Sequence, residues 1–508
     1  MFLPPTPIDV EVFVHATDAQ VFVPPFSKGR QNLIVAVLAF AGMGASFMQT
    51  ILIPIQSELP RLLDAEPAET AWVITVTLLA SAVAVPIAGR LGDMFGKRTI
   101  ALVLMGILVL GSVVCALAPG LVLMIVGRAL QGMGMGVIPL GISLLRDVVA
   151  ERKLGTSIAL VSATLGVGGA LGLPISALVV QNADWHMLFV FAAAIALIAF
   201  VLLFTVLPKA DGGTGGQVDV IGAIGLAVGL VGVLLAVSQG NTWGWASAPT
   251  IISLTVGVVV LLAWGFYELR IKNPLVDLRV TARPAVMTTN LASIAMGFAL
   301  FSSSIAFPQL LEAPVAAGGI GLDLLPASLL LMPSGLAMLA MSPIAGRIER
   351  AVGPKPLLIA GASVLAVAYL TCVFVPLQAW TIAVVNTVIG VGIGLGYAAM
   401  PALIMGAVPR HETGAANGVN TLMRAFGTTV ASAVVGAIIA AATGGNITAS
   451  FHLVFVLGFA AAAVCAIIGA LIPRPRAEDR LHNTTDAAVE VDATAAEDTE
   501  SAVAVAQR

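Results

Sequence analysis

The chain has 508 residues, of which 59% are hydrophobic and 10% charged, with a mean hydropathy of +1.03 and a formal net charge of −3. Soluble domains are roughly 25% charged, so this composition excludes a soluble globular protein, and the near-neutral, slightly acidic balance excludes a nucleic-acid partner. Apolar runs of about twenty residues recur, each able to cross a hydrocarbon core of roughly 30 Å as a helix, so the expected class is an all-α polytopic membrane protein.

The first residues are rich in proline (Pro4, Pro5, Pro7, Pro24, Pro25) and carry Asp9, Glu11 and Asp18. They lack the basic start and apolar core of a signal peptide, so 1–31 is expected to be a flexible cytoplasmic lead-in. Spans then follow at 32–54, 70–89, 99–118, 121–145, 155–180 and 186–207, at 219–238 and 249–267, and at 286–309, 324–346, 356–376, 380–405, 415–442 and 450–472. Residues 473–508 are rich in Ala, Thr and acids with few large apolar side chains, the composition of a disordered tail.

Fourteen spans put both termini on one side, and the positive-inside rule makes that side cytoplasmic. Of the 24 Lys and Arg residues, only Arg61 then falls outside and only Arg128 and Arg424 lie within spans. Trp72, Trp185, Trp243, Trp245 and Trp380 fall at the expected outer boundaries, where indole rings favour the interface. Cys115, Cys372 and Cys465 sit inside apolar runs without CxxC spacing or a histidine cluster, so neither a disulfide, a metal site nor another cofactor is expected.

A duplication organises the spans. Pro86-Ile87-Ala88-Gly89-Arg90 returns 257 residues later as Pro343-Ile344-Ala345-Gly346-Arg347, with Gly353 at the same offset from Gly96. Gly132, Gly134 and Gly136 return as Gly390, Gly392 and Gly394. Two related halves are implied, 32–207 and 286–472, joined by a linker at 208–285 that carries the two additional spans. Each copy of the pentapeptide is expected to end a span and open a charged turn.

Gly89-x-Leu91-x-Asp93-x-x-Gly96-Lys97-Arg98, between spans 2 and 3, resembles the signature loop of the major facilitator superfamily. With fourteen spans the chain looks most like that family's fourteen-span drug:proton antiporters. The resemblance implies two six-helix bundles of that type plus two central helices, and a loop that switches conformation. Asp93, beside Arg90 and Arg98, would form a salt bridge in one state and lose it in another. Arg350 occupies the place of Asp93 in the second copy, so the switch is expected in the N-terminal half. Gly92 to Arg98 has three residues between its glycines and Arg98 where Ser or Thr belongs, so it is no phosphate loop.

Span 4 carries Arg128-x-x-Gln131-Gly132, similar to a second family signature whose arginine is linked to proton transfer. An arginine in hydrocarbon must face the interior or a wet cavity and have a partner. Gly168, Gly172 and Pro174 in span 5 resemble the antiporter signature and imply a kink and close packing, although Leu173 interrupts the pattern. Span 1 reads Phe47-Met48-Gln49-Thr50 where this branch often carries Asp before Thr, so a carboxyl is missing there. The nearest acids that could couple protons are Glu58 and Glu312. By analogy spans 1, 4, 9 and 12 would line a substrate cavity, with Phe47, Met48, Gln49, Gln131, Met133, Asn386 and Arg424 as candidates.

The function implied is a secondary-active exporter in the cell membrane. It would carry small amphipathic or drug-like molecules by alternating access, act as a monomer in the lipid bilayer, be driven by protons, and be no enzyme. Two alternatives stand beside it: a dedicated exporter of one metabolite or lipid-like compound with different or no proton coupling, and a non-transporting sensor or channel on the same fold.

Overall fold

Within hydrocarbon every backbone N–H and C=O must be satisfied inside the protein, which leaves helices as the means for this sequence to cross. The computed structural model describes residues 26–473 apart from 57, 210–214, 216, 273 and 442–446 and the side chains of 54, 67, 68, 410 and 440; among the described residues it contains helices and no strand. The lead-in before residue 26 and the tail after 473 lie outside the described residues.

Fourteen described helices are long and apolar enough to cross a membrane. The first eight are α1 (Lys28–Thr50), α2 (Trp72–Phe95), α3 (Lys97–Ala116), α4 (Leu121–Val148), α5 (Glu151–Asn182), α6 (Met187–Val206), α7 (Val220–Trp243) and α8 (Ala248–Glu268). The remaining six are α9 (Pro284–Glu312), α10 (Leu324–Val352), α11 (Pro354–Phe374), α12 (Ala379–Ala407), α13 (Thr413–Ala441) and α14 (Ile447–Leu471). All fourteen coincide with the expected spans.

Two boundaries differ from the sequence reading, and the difference matters. The repeated pentapeptide does not open a turn: α2 stays helical to Phe95 and α10 to Val352. Hydropathy stops at the first charge, whereas a helix stops where the backbone turns. That happens at Gly96 (φ 92°) and Gly353 (φ 87°), left-handed positions that favour glycine. Two extra helical turns therefore carry Arg90 and Asp93 on one side, and Arg347 and Arg350 on the other, out along the helix. Span 4 also departs from a single helix: it is broken at Met135 and Gly136, between Leu121–Gly134 and Val137–Val148.

The apolar side chains segregate into two main cores. One runs from Ile34 to Leu207 through α1–α6, the other from Ala292 to Ile472 through α9–α14. The seam between them is made by α2 against α13 and by α5 against α10. Glycine permits the approach. A methyl on Gly89 would strike the Gly414 carbonyl, one on Gly346 would strike Thr156, and one on Gly335 would sit 2.5 Å from the Gly166 carbonyl oxygen.

The inserted pair fills the same seam from outside. Leu226, Leu230 and Leu234 of α7 pack on Leu79 and Ala82 of α2 and on Leu422 of α13. Farther along, Gln239 Nε2 donates to Thr75 Oγ1 (3.5 Å) and Asn241 Nδ2 to the Ala433 carbonyl (2.7 Å), so α7 is tied to both sides. At its start, Asp219 Oδ1 accepts from Gly222 N (2.8 Å) and from the Tyr267 hydroxyl (3.1 Å) of α8. α8 packs chiefly on α7 and has only 11% of its most apolar window buried, which leaves most of its surface to lipid.

The α7–α8 contact depends on Gly232 and Gly257, since a methyl on Gly232 would lie 2.7 Å from Gly257 Cα. Gly257→Leu should push α8 off α7 and cost about 1–3 kcal/mol, the usual range for overpacking. Thermal unfolding in detergent should show a lowered midpoint. An unchanged midpoint would mean that α8 is not held by this contact.

Candidate functional site

Because α2 remains helical, Pro86, Gly89 and Asp93 follow one another on a single face, and that face meets the start of α13. Asp93 is 5% exposed. Its Oδ1 accepts from Gly414 N (3.1 Å) and its Oδ2 from Ala415 N (2.9 Å). These are among the first amides of α13, which have no partner within their own helix and carry the positive end of its dipole. The carboxylate of one core thus caps a helix of the other.

The surrounding residues extend this clasp. Lys97 Nζ holds Asp147 Oδ2 at 2.6 Å and donates to Thr413 Oγ1 at 3.3 Å. Ser143 Oγ donates to the same threonine hydroxyl (2.8 Å), and Arg146 Nη1 to the Val408 carbonyl (3.2 Å). The pairing expected between Asp93 and its neighbouring arginines is corrected here. Arg98 turns to α6, where Nη2 donates to the Phe204 carbonyl (2.8 Å) and the guanidinium lies over the Phe204 ring. Arg90 is partly buried on the helix, one turn before Asp93. Gly96 supplies the turn, and Gly89 the close approach.

The second copy also crosses the seam, contrary to an asymmetric reading. Arg350 Nη1 donates to the Arg152 carbonyl (2.9 Å) and to Thr156 Oγ1 (3.3 Å), in the first turns of α5. Each copy therefore grips the fifth helix of the opposite core. The polarity is reversed, because an arginine at a helix N-terminus is not favoured by the dipole. Glu349, beside it, lies against Gly155, and its Oε2 has no hydrogen-bond partner.

The two arginines within the membrane have different fates. Arg128 is 1% exposed and spends its donors inside the first core. Its Nε donates to the Val73 carbonyl (3.2 Å), and its Nη1 to the Met48 carbonyl (2.9 Å) and Gln131 Oε1 (2.8 Å). Gln131 Nε2 passes the chain on to Ser112 Oγ (2.9 Å). Asn386 stands 258 residues after Arg128 and donates to the Leu331 carbonyl (3.1 Å), itself 258 residues after Val73. The two halves repeat this helix tie, with an amide replacing the charge.

Arg424 instead faces a cavity of about 70 Å³, room for about two waters. Gln49 of α1, Ser81 and Val85 of α2, Met135 of α4 and Leu165 of α5 complete most of the wall. Arg424 Nη2 donates to Thr421 Oγ1 (3.2 Å), and its guanidinium carbon lies 4.6 Å from the Tyr397 ring centroid. Asn420, one turn nearer the basic face, donates to Asn290 Oδ1 (3.0 Å) and Ser293 Oγ (2.8 Å). Asn417 follows on the same face of α13, with both amide atoms buried and without a hydrogen-bond partner among the described residues.

Of the residues expected to line a cavity, the structure brings together Gln49 and Arg424. Phe47, Met48 and Gln131 are turned into the first core, and Asn386 is engaged by α10. Met133 is 38% exposed on an outward stripe with Val122 and Val126; the break in α4 puts Met135 in the wall instead. Of the expected spans 1, 4, 9 and 12, this cavity is lined by α1 and α4, with α2, α5 and α13 completing it. Glu58 is exposed and bonded to Arg61 (2.8 Å), and Glu312 is exposed at the end of α9, both away from this cavity. Gly168 and Gly172 press on Met43 and Thr50 of α1, while Pro174 lies within a continuous α5. Ser81, Met135, Leu165 and Thr421 gave no sequence signal, because which helices share a void depends on packing between segments far apart in the chain.

Known proteins share this architecture. The family model described as Major Facilitator Superfamily matches residues 38–432 and 289–499. The lincomycin resistance protein LmrB of Listeria monocytogenes is 28% identical over 372 residues, covering 72% of this chain and 78% of that protein. The uncharacterized MFS-type transporter YcnB of Bacillus subtilis is 26% identical over 463 residues, covering 88% and 95%. The solved structure of the proton:xylose symporter XylE shares the fold, with a TM-score of 0.63 at 14% identity over 88% of this chain and 97% of that one. With the family match running through both cores and the seam between them, the chain belongs to the major facilitator superfamily and is a multi-pass membrane transporter.

Proposed function

We propose that the chain is a secondary-active exporter of small amphipathic, drug-like molecules, working by alternating access. The observation that carries this reading is the clasp. The seam is closed at the basic face by side chains of one core bonded to the helix starts of the other, and it leaves a small, mostly apolar void beside Arg424 at mid-depth. Bonds of this kind can be exchanged for water when that face opens, whereas an apolar seam could not be. In this reading the basic face is cytoplasmic, as the positive-inside rule requires. Residues 32–207 and 286–472 are the two rocking bundles, with 208–285 linking them. One chain contains the whole cavity, which supports a monomer as the working unit. The drug-resistance name of LmrB supports export of drug-like compounds.

Protons are the coupling ion in this proposal, and Asp93 is the group we assign to them in place of Glu58 or Glu312. A protonated carboxyl is a weaker acceptor for the Gly414 and Ala415 amides, so acidification loosens the clasp and deprotonation restores it. Charged groups that act on it include Lys97 on α3 and Asp147 on α4. Uptake into inverted vesicles across a compound panel, with and without an imposed pH gradient, tests the whole reading. Concentrative uptake of amphipathic compounds supports it, and no gradient-dependent uptake of any compound removes it.

Asp93→Asn isolates the clasp. Hydrogen bonds to a charged group contribute about 1.5–3 kcal/mol, so their weakening should move the access equilibrium roughly 10–100-fold toward the open basic face. In an Asn417→Cys background, labelling by an impermeant maleimide applied to the basic face should accelerate by about tenfold or more. The native cysteines are buried and stay silent. Arg350→Ala should accelerate labelling less, because its bonds are solvent-exposed. Equal labelling in wild type and Asp93→Asn would contradict a clasp at this position.

A further inference from the structure

We propose that the central cavity, once widened by opening of the clasp, selects organic anions, holding a substrate carboxylate, sulfonate or phosphate on Arg424 with the apolar body of the molecule beside it. The inference deepens the export reading above and rests on it.

Three observations carry it. Arg424 lies eleven residues into α13, roughly 16 Å along the helix at 1.5 Å per residue, and is 5% exposed. Its guanidinium has one hydroxyl and one aromatic ring as partners among the described residues, and neither neutralises it. Arg128, by contrast, is 1% exposed, is bonded to three acceptors inside the first core and is not among the residues that line this cavity. A cation this deep requires a partner, and the part of Arg424 that faces the cavity is where one can bind.

The second observation is the wall. None of the eleven lining residues is acidic, and Arg424 is the one charged residue among them. Gln49, Ser81 and Thr421 offer neutral polar atoms, and Val85, Met135 and Leu165 offer apolar surface. Such a cavity attracts one negative charge on an apolar body and repels a cation.

Third, every Asp and Glu in the described membrane helices lies close to a helix end: Asp93, Asp147, Glu151, Glu268, Glu312 and Glu349. No carboxylate competes for Arg424 from the core of the membrane. The column below it, Asn420 and Asn417, is neutral, so the path between the Asp93 clasp and Arg424 offers amides rather than acids. With that face cytoplasmic and negative, the potential itself drives an anion outward. One charge moved through 100 mV corresponds to a concentration ratio of roughly 50-fold, and the charge moved is the substrate's own, Arg424 staying near mid-depth.

Three dansyl probes differing in charge test this on the purified full-length protein, first for binding by fluorescence and then for counterflow in proteoliposomes. Dansylglycine is anionic, dansylamide neutral and dansylcadaverine cationic. Wild type should favour dansylglycine over dansylcadaverine by at least about tenfold, the factor that 1.4 kcal/mol of differential binding gives. Arg424→Gln should lose that preference, and Arg424→Lys should retain part of it. Gln49→Glu places a carboxylate in the same cavity, offsets the charge of Arg424 and should abolish the preference. It reads the same question if Arg424→Gln fails to fold. A wild-type preference for dansylcadaverine, or dansylglycine handled normally by Arg424→Gln, would overturn the anion assignment and leave export standing. If none of the three is moved by wild type, the export reading fails and this inference with it.

Discussion

The carboxylate of Asp93 on the first amides of α13 is the interaction on which the rest of the structure depends. Helix starts are short of acceptors, and in a membrane protein they must find them in other parts of the protein or in water. Here the acceptor belongs to the other core. The cap therefore stabilises α13 and joins the two cores at once, and it sits at the basic face, where water can take its place. Gly89 and Gly414 are small so that the helices can meet there; Lys97, Asp147, Ser143 and Thr413 bind the same corner. The second copy repeats the grip on α5 with Arg350, at a helix end whose dipole disfavours it. In the proposed mechanism, opening at the basic face is governed mainly by the first copy. α7, bonded to α2 through Gln239 and to α13 through Asn241, remains across the seam in the half away from Asp93.

Two arginines gave the same signal in the sequence, a charge inside an apolar run, and the structure separates them by what surrounds each. Arg128 is a strut, bonded through Nε and Nη1 to the carbonyls of α1 and α2 and to Gln131. Arg424 is open to the cavity. The halves show how a strut can do without its charge: at the place of Arg128 the second half uses Asn386, which makes the corresponding bond to Leu331. Arg424 is therefore the charge that packing alone does not explain.

The spans were legible because bilayer thickness imposes a length on apolar runs that no other constraint mimics. The two halves were legible because duplicated turns survive as strings. The end of α2 was not, since hydropathy reports where charge begins and the helix continues past Arg90 to Gly96. Nor were the amides that Asp93 caps, which lie 321 and 322 residues away in sequence; its nearest arginines were the natural expectation, and Arg98 proved to be engaged by Phe204. Gln49 and Arg424 were identified as cavity residues because polarity in an apolar run is visible in the sequence. Phe47, Met48 and Met133 were not separable from core or lipid-facing positions, because an apolar side chain reads alike in all three. The break at Met135 and Gly136, which changes the face α4 presents, leaves no apolar-pattern signal.

In the proposed mechanism the basic face opens and closes about the Asp93 cap. Glu151 on α5 and Val352 on α10 are exposed at that face, on either side of the seam. The most direct measurement is the distance distribution between spin labels on Glu151→Cys and Val352→Cys in lipid, with Asp93 intact and with Asp93→Asn. The account predicts a dominant short distance in the first and a second, longer population in the other. A single unchanged distance in both would contradict it.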